Sequence, residues 1–284
     1  MQNTGFSTNK TLNIRGRLVD LSQPIVMGIL NITPDSFYDG GKYTTETSIL
    51  KKTEKMLSEG ASFLDVGGYS SRPGAEEISV EEELRRVIPA IKAIAKEFPA
   101  AMLSIDTFRS EVAKAAVLEG ARMVNDISGG ELDAAMFETV AHLQVPYILM
   151  HMRGNPKNMT NLADYTHLLK EVIDYLSSKI FQLHQLGLSD IIIDPGFGFA
   201  KKQEQNFELL NRLDLLKMLG KPLLVGLSRK SMIWKSLSIT PEAALNGTTS
   251  LHTIALIKGA NILRVHDVKE AMEVIRLRGI LDEV

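Results

Sequence analysis

The chain has 284 residues, 44% of them apolar, enough to build the core of one large domain. Its 32 Lys and Arg are interspersed with 34 Asp and Glu for a net charge of −2. With no basic stripe, neither nucleic acid nor an anionic membrane is an expected partner. The absence of cysteine excludes disulfides, thiolate metal sites and a cysteine nucleophile.

Residues 1–11 are polar (Gln2, Asn3, Thr4, Ser7, Thr8, Asn9, Lys10) and lack the apolar centre of a signal peptide. No apolar run approaches the roughly 20 residues that span a bilayer. The expectation is a soluble cytoplasmic protein with a flexible arm at 1–10 and a single domain over 11–284. Residues 11–21 alternate apolar and polar about Gly16, which predicts a short β-hairpin covering the bottom of the fold that follows.

Eight apolar runs come next, each ending abruptly in charged, amide or imidazole side chains. The run 25–30 ends in Asn31, 63–64 in Asp65, 102–105 in Asp106 and 123–124 in Asn125 and Asp126. Further on, 147–150 ends in His151, 191–193 in Asp194, 223–227 in Ser228, Arg229 and Lys230, and 262–263 in Arg264 and His266. Helical periodicity marks 45–59, 80–98, 110–119, 133–142, 164–186, 203–219, 241–258 and 268–279. Ser79-Val80-Glu81-Glu82 reads as a capping box, and Thr240-Pro241-Glu242 places proline at a first helical position. Gly60, Gly120, Gly187, Gly220 and Gly259 each fall just past a helix, where a left-handed cap is wanted. Eight strand–helix units predict an α/β fold, a single (β/α)8 TIM barrel with its site at the strand C-terminal ends. The two long connections, 31–44 and 67–79, read as mobile active-site loops.

Asp194-Pro195-Gly196-Phe197-Gly198-Phe199 puts a carboxylate at a strand end and lets the backbone turn closely around a ligand. A flat ligand with a guanidine-like edge suits it, since one carboxylate can accept two parallel N–H bonds. Asp194, Asp106 and Asn125 could each be a simple turn-former. Three such groups at one barrel mouth favour a site, because unpaired buried polar groups are costly. Lys230, Ser231, Arg264 and His266 follow strands seven and eight, where barrels often bind phosphate, so a phosphate or diphosphate fits there. Arg229 reads instead as an outward salt bridge, and His151 and His252 as structural. The first loop, from Asn31 through Pro34-Asp35-Ser36-Phe37 to Gly41, offers oxygen ligands suited to Mg2+. In the second, Arg72 could be carried over an anion, or could lie in a solvated turn.

Together these segments resemble the dihydropteroate synthases, the pterin-binding barrel enzymes of folate biosynthesis and targets of sulfonamides. The resemblance spans Met27-Gly28-Ile29-Leu30-Asn31 to Arg264-Val265-His266-Asp267-Val268, with Ser104-Ile105-Asp106-Thr107, Asn125-Asp126-Ile127, the Asp194–Phe199 stretch and Ser228-Arg229-Lys230 in the family's order. Ser71 stands where the family commonly has threonine. The resemblance implies condensation of 6-hydroxymethyl-7,8-dihydropterin diphosphate with 4-aminobenzoate to 7,8-dihydropteroate and diphosphate. It further implies that Asp106, Asn125, Asp194 and Lys230 hold the pterin with Arg264 against its ring. Asn31 would bind Mg2+, while Arg72, Arg264 and His266 clamp the diphosphate. Phe37, Pro73, Phe199, Lys230 and Ser231 would line the 4-aminobenzoate side, Ser71 would be a further substrate-binding residue, Asp35 would act in a closing loop, and the protein would be a homodimer. Asp35, Asp106, Lys230 and Arg264 are the catalytic candidates.

Three rivals are weighed against this. A methyltetrahydrofolate-dependent methyltransferase on the same barrel needs no diphosphate clamp. A Schiff-base aldolase using Lys230 needs a desolvated lysine, which the flanking Arg229 and Arg264 argue against. An inactive pterin-binding paralogue would not need the full set of polar strand-end residues.

Overall fold

A computed structural model describes residues 10–32, 46–69 and 77–282. The expected arm lies outside them except for Lys10, whose carbonyl accepts the Leu21 amide at 2.6 Å. Strands β1 (Thr11–Ile14) and β2 (Arg17–Asp20) form the expected antiparallel hairpin. Its two-residue turn, Arg15-Gly16, has φ of 50° and 86°, the left-handed pair that matches the twist of a hairpin.

The barrel strands are β3 (Ile25–Asn31), β4 (Phe63–Gly67), β5 (Met102–Asp106), β6 (Met123–Asp126), β7 (Tyr147–Met150), β8 (Ile191–Asp194), β9 (Leu224–Val225) and β10 (Ile262–Val265). All pair in parallel, in the order β8-β7-β6-β5-β4-β3-β10-β9, and one Ile193–Leu223 bridge closes the seam. The predicted barrel with its hairpin is therefore the observed architecture. Around it lie α1 (Glu46–Ser58), α2 (Val80–Glu97), α3 (Ser110–Leu118), α4 (Met136–Leu143), α5 (Leu168–Gln185), α6 (Gln203–Asn211), α7 (Ser231–Ser236), α8 (Leu245–Ile257) and α9 (Val268–Asp282).

Some predicted boundaries move, for local reasons. The stretch 203–219 is two elements, α6 and a 3-10 helix at Leu213–Leu219. Leu210, Leu213, Leu216 and Leu219 recur every third residue on the core side, a spacing that lines up on a 3-10 helix and drifts on an α-helix. Pro241 does not start α8; it belongs to a turn before it, in which the Ala243 and Ala244 amides bond to the Thr240 and Pro241 carbonyls. At Ser79 only half of the capping box forms. The hydroxyl accepts the Glu82 amide at 3.2 Å, but the Glu82 carboxylate turns to Arg85 and Arg86. Helix α7 was not anticipated. The five cap glycines all have positive φ, as their positions require.

The period of two along each strand divides its residues between two packing environments. Leu64, Val66, Leu103, Ile105, Val124, Tyr147, Ile193 and Val265 pack outward in the large core shared with the helices. Met27, Phe63, Met123, Ile148, Ile192, Leu224 and Ile262 form a separate cluster with Leu12, Ile14 and Leu21, so the hairpin plugs the lower end of the barrel as expected. Two residues beyond Phe63, Met123, Ile192, Ile262 and the adjoining Met102 of β5 stand Asp65, Asn125, Asp194, Arg264 and Ser104. The barrel interior is thus apolar below and polar above.

Candidate active site

The polar upper layer is organised around Arg264 on β10. Its Nε donates to Asp65 Oδ2 at 2.6 Å and its Nη2 to Asp106 Oδ2 at 2.5 Å. Asp65 Oδ2 also accepts from Asn125 Nδ2 at 2.8 Å. One carboxylate oxygen therefore orients two of the predicted site residues at once. With Nδ2 committed, Asn125 Oδ1 is the amide atom that remains to accept a hydrogen bond from a ligand. Asp65 Oδ1 and Ser104 Oγ, on register-paired residues of β4 and β5, are buried with no partner among the described residues.

Asp65 is the residue that the sequence reading left out of the site. It ends an apolar run like the others, but β4 continues two residues past it, so it lies at mid-strand rather than at the rim. The available signal was parity, since a residue two beyond inward-facing Phe63 must also face inward.

Gly67 ends β4 between two predicted residues. A Cβ there would sit 3.4 Å from Asp106 Cβ and 3.7 Å from Asn31 Oδ1, ordinary contact distances that place Asn31 and Asp106 on either side of Gly67. Asp194 ends β8, and its Oδ1 takes the Gly196 amide at 2.7 Å. This fixes the carboxylate and leaves Oδ2 uncommitted to that turn. Lys230 lies over Gly198 and Gly226, donates to the Phe197 carbonyl, and holds its Nζ 4.7 Å from the centre of the Phe199 ring.

The electrostatics follow from desolvation around opposite charges. Burial pushes the Asp106 carboxyl up to about 7 against the pull of Arg264, with Asp65 adding to the rise. Burial also raises Asp194, partly offset by Lys230. Lys230 comes down to about 8 through burial, opposed by Asp194. Burial works against the charge of Arg264, but Asp65 and Asp106 hold it well above the usual range. The desolvation of Lys230 corrects one sequence-based expectation, that a polar mouth would keep this lysine unperturbed. The Schiff-base reading loses that objection and is disfavoured by the contact that the ammonium makes with the Phe197 carbonyl.

At the rim, His266 is exposed and tied to Ser228. The serine hydroxyl accepts the His266 amide at 3.2 Å and meets Nδ1 at 3.1 Å, which orients the ring at the rim. Ser231 is exposed at the start of α7. Arg229 makes the predicted outward pair, bidentate to Asp267 at 2.8 and 2.9 Å. His151 and His252 are buried, as expected of structural histidines. Asp35, Phe37, Ser71, Arg72 and Pro73 lie outside the described residues. Among the described residues, Asn31, Asp106, Asn125, Asp194, Phe199, Lys230, Ser231, Arg264 and His266 are all carried at the C-terminal ends of the strands or in the segments that follow them.

The mouth thus offers a fixed carboxylate, an amide oxygen and two half-buried cations, a set that suits a pterin-binding enzyme. The comparisons agree: the chain matches the family described as pterin binding enzyme over residues 27–266. It is 44% identical over 265 residues to the dihydropteroate synthase of Escherichia coli K12, covering 93% of both chains. A Yersinia pestis dihydropteroate synthase solved with a sulfonamide drug complex superposes with a TM-score of 0.91 at 40% identity, over 96% of this chain and 100% of that one. A Xanthomonas albilineans dihydropteroate synthase with 4-aminobenzoic acid gives 0.91 at 41%, over 98% and 100%. The chain belongs to the pterin-binding enzyme family, and within it to the dihydropteroate synthases.

Proposed function

We propose that the barrel mouth condenses 6-hydroxymethyl-7,8-dihydropterin diphosphate with 4-aminobenzoate to give 7,8-dihydropteroate and diphosphate. The observation that carries this is the linked set Asn125, Asp65, Arg264 and Asp106, with the Asp194 carboxylate fixed separately by the Gly196 amide at the same mouth. Asp194 accepts the pterin 2-amino and N3–H donors, Asn125 Oδ1 accepts from the same ring, and Lys230 donates to its carbonyl and imine side. Arg264, held flat between two carboxylates, packs against the ring and with His266 and Arg72 takes the diphosphate.

Asn31 and the diphosphate oxygens would hold Mg2+. Among the described residues no group of three or more acidic or histidine side chains could hold a metal alone. That donor set fits magnesium, which needs only one or two protein oxygens when a diphosphate supplies others. Bound there, the ion would neutralise charge on the leaving group.

In the reaction the C–O bond breaks with its electron pair leaving on diphosphate. The amine nitrogen bonds the exocyclic carbon and gives up one proton. If cleavage runs ahead of attack, positive charge spreads over the dihydropterin, and the carboxylates of Asp106 and Asp35 stabilise it. Phe37, Pro73, Phe199, Ser231 and the stem of Lys230 line the 4-aminobenzoate side, with Ser71 a further substrate-binding residue. The aromatic amine is already a competent nucleophile and needs positioning more than a strong base. Closure of the two long loops would keep water from the cation.

Diphosphate release in Mg2+ tests this reading. It should depend on 4-aminobenzoate and fall competitively with a sulfonamide. Pterin binding without release would favour the inactive paralogue or the methyltransferase.

The reading includes a homodimer. Of the candidate faces on the last helices, Ile275 is core and Met272 packs against it, but Leu277 is 65% exposed, as are Ile257 (65%) and Leu281 (75%). An apolar face of this kind on α8 and α9 suits a second copy. Sedimentation should give twice the 31.4 kDa chain mass, falling to one chain in Leu277→Glu. No helix among the described residues is long and apolar enough to cross a membrane. The reading includes a cytoplasmic location, which cell fractionation checks.

A further inference from the structure

The turn after β8 has a backbone that needs holding. Gly196, Gly198 and Ala200 have φ of 72°, 79° and 47°, three left-handed residues in five. Ala200 is strained there, and a Cβ at 196 would fall 2.0 Å from the His151 carbonyl oxygen. Such a backbone persists only where its surroundings determine it.

Two side chains do so. Asn206 on α6 accepts the Gly198 amide at 2.6 Å and donates to the Lys202 carbonyl at 2.7 Å. Lys201 turns inward and donates to the Gly196 carbonyl at 3.0 Å and the Phe199 carbonyl at 3.1 Å, while meeting His151 Nδ1 at 3.0 Å. Its ammonium form has three N–H donors for these partners, with the His151 carbonyl a further contact at 3.5 Å, and burial brings the amine down to about 7 against the pull of Asp194. Burial and the neighbouring Lys201 and Arg153 hold His151 down to about 2, so its ring is neutral and Nδ1 can accept. The adjacent Lys202 is exposed and pairs with Asp164 at 2.8 Å, the ordinary fate of a surface lysine.

The carbonyls that Lys201 grips bracket the residues that enter the mouth. Phe197 offers its carbonyl to Lys230, and the Phe199 ring stands beside the Lys230 ammonium. We propose that Lys201 is a positioning residue that, from behind the turn, sets the Phe199 wall of the aromatic-amine subsite. This rests on the reading of the mouth as the dihydropteroate synthase site.

The test is Lys201→Met, which keeps the stem and removes all three donors. We expect KM for 4-aminobenzoate to rise about tenfold or more, with kcat and the pterin diphosphate Kd changing less than about threefold, since Asn125 and Arg264 are untouched and the Gly196 amide still holds Asp194, which loses only the longer-range charge of Lys201. Should Lys201→Met not fold, Asn206→Ala, which frees the same turn at Gly198, should give the same selective rise. A purely structural role would lower the melting temperature and leave both substrate constants alone, and that result overturns the proposal. So does an equal loss for both substrates. Hydrogen exchange of the Phe199 amide, which bonds to the Gly196 carbonyl at 3.1 Å, gives a readout independent of turnover. It should quicken about tenfold or more in the variant. An inactive wild type with faster exchange in the variant would overturn the functional reading and keep the positioning role. An unchanged exchange rate in a folded variant would overturn the positioning role alone.

Discussion

The lower and upper halves of the barrel interior are lined by the same strands and the turns just past them, a few residues apart, and they are opposite in chemistry. Below, Met27, Phe63, Met123, Ile148, Ile192, Leu224 and Ile262 close on Leu12, Ile14 and Leu21 of the hairpin. Above, Asp65, Asp106 and Asp194 face Arg264 and Lys230. The lower half gains stability from apolar burial, which is tolerant of detail. The upper half spends stability, since desolvated charges repay their cost only when each finds its partner in the right place. The barrel separates these tasks along one axis, so that the site can carry unfavourable charge while the plug beneath it holds the strands together.

The largest expected effect comes from breaking the upper half at Asp65. Asp65→Asn keeps the shape and removes the charge that Arg264 Nε and Asn125 Nδ2 share. Loss of a buried charged bond of this kind is worth about 3 kcal/mol, so kcat/KM for the pterin diphosphate should fall on the order of 100-fold. Activity near wild type would show that Asp65 does not organise the site.

Next in size is the lower half. Leu12 is fully buried in the plug. Leu12→Ala should cost about 3 kcal/mol of unfolding free energy by denaturant titration, with kcat/KM unchanged well below the melting temperature. A catalytic loss in the folded variant would mean that the two halves are not separable.

The smallest effect sharpens the comparison through pH. Asp106 has its folded pKa raised to about 7, chiefly by burial and in part by Asp65. A raised carboxylate loses its proton only as pH climbs through that value, so kcat/KM of the free enzyme should fall with acidification below about 7. Removing the Asp65 charge relieves repulsion, and the acid limb of Asp65→Asn should therefore move to lower pH. A limb that stays in place would separate Asp106 from the profile.

Much of this was legible from the chain. The alternation of apolar runs with helical periodicity, and polar residues at the run ends, read directly as a barrel with a mouth, because strand and helix periods are local properties. Arg229 was read as an outward pair and the hairpin as a plug, both of which hold. Lys201 and Asp65 escaped for a shared reason. Each acts through groups distant in sequence, Lys201 through His151, Asp65 through Asn125 and Arg264. The division at 212 and the turn at Pro241 were missed because core contacts chose among helical geometries that the chain alone permits.

By itself, then, the sequence determined the barrel, the end of it that carries chemistry, and the residue types offered there, since all three follow from short-range pattern and strand polarity. Only the tertiary structure decided that one Asp65 oxygen serves two residues, that Lys230 is desolvated, and that Lys201 faces backbone carbonyls rather than water. These depend on the stagger that closes eight strands into a ring and on which charges that closure removes from solvent.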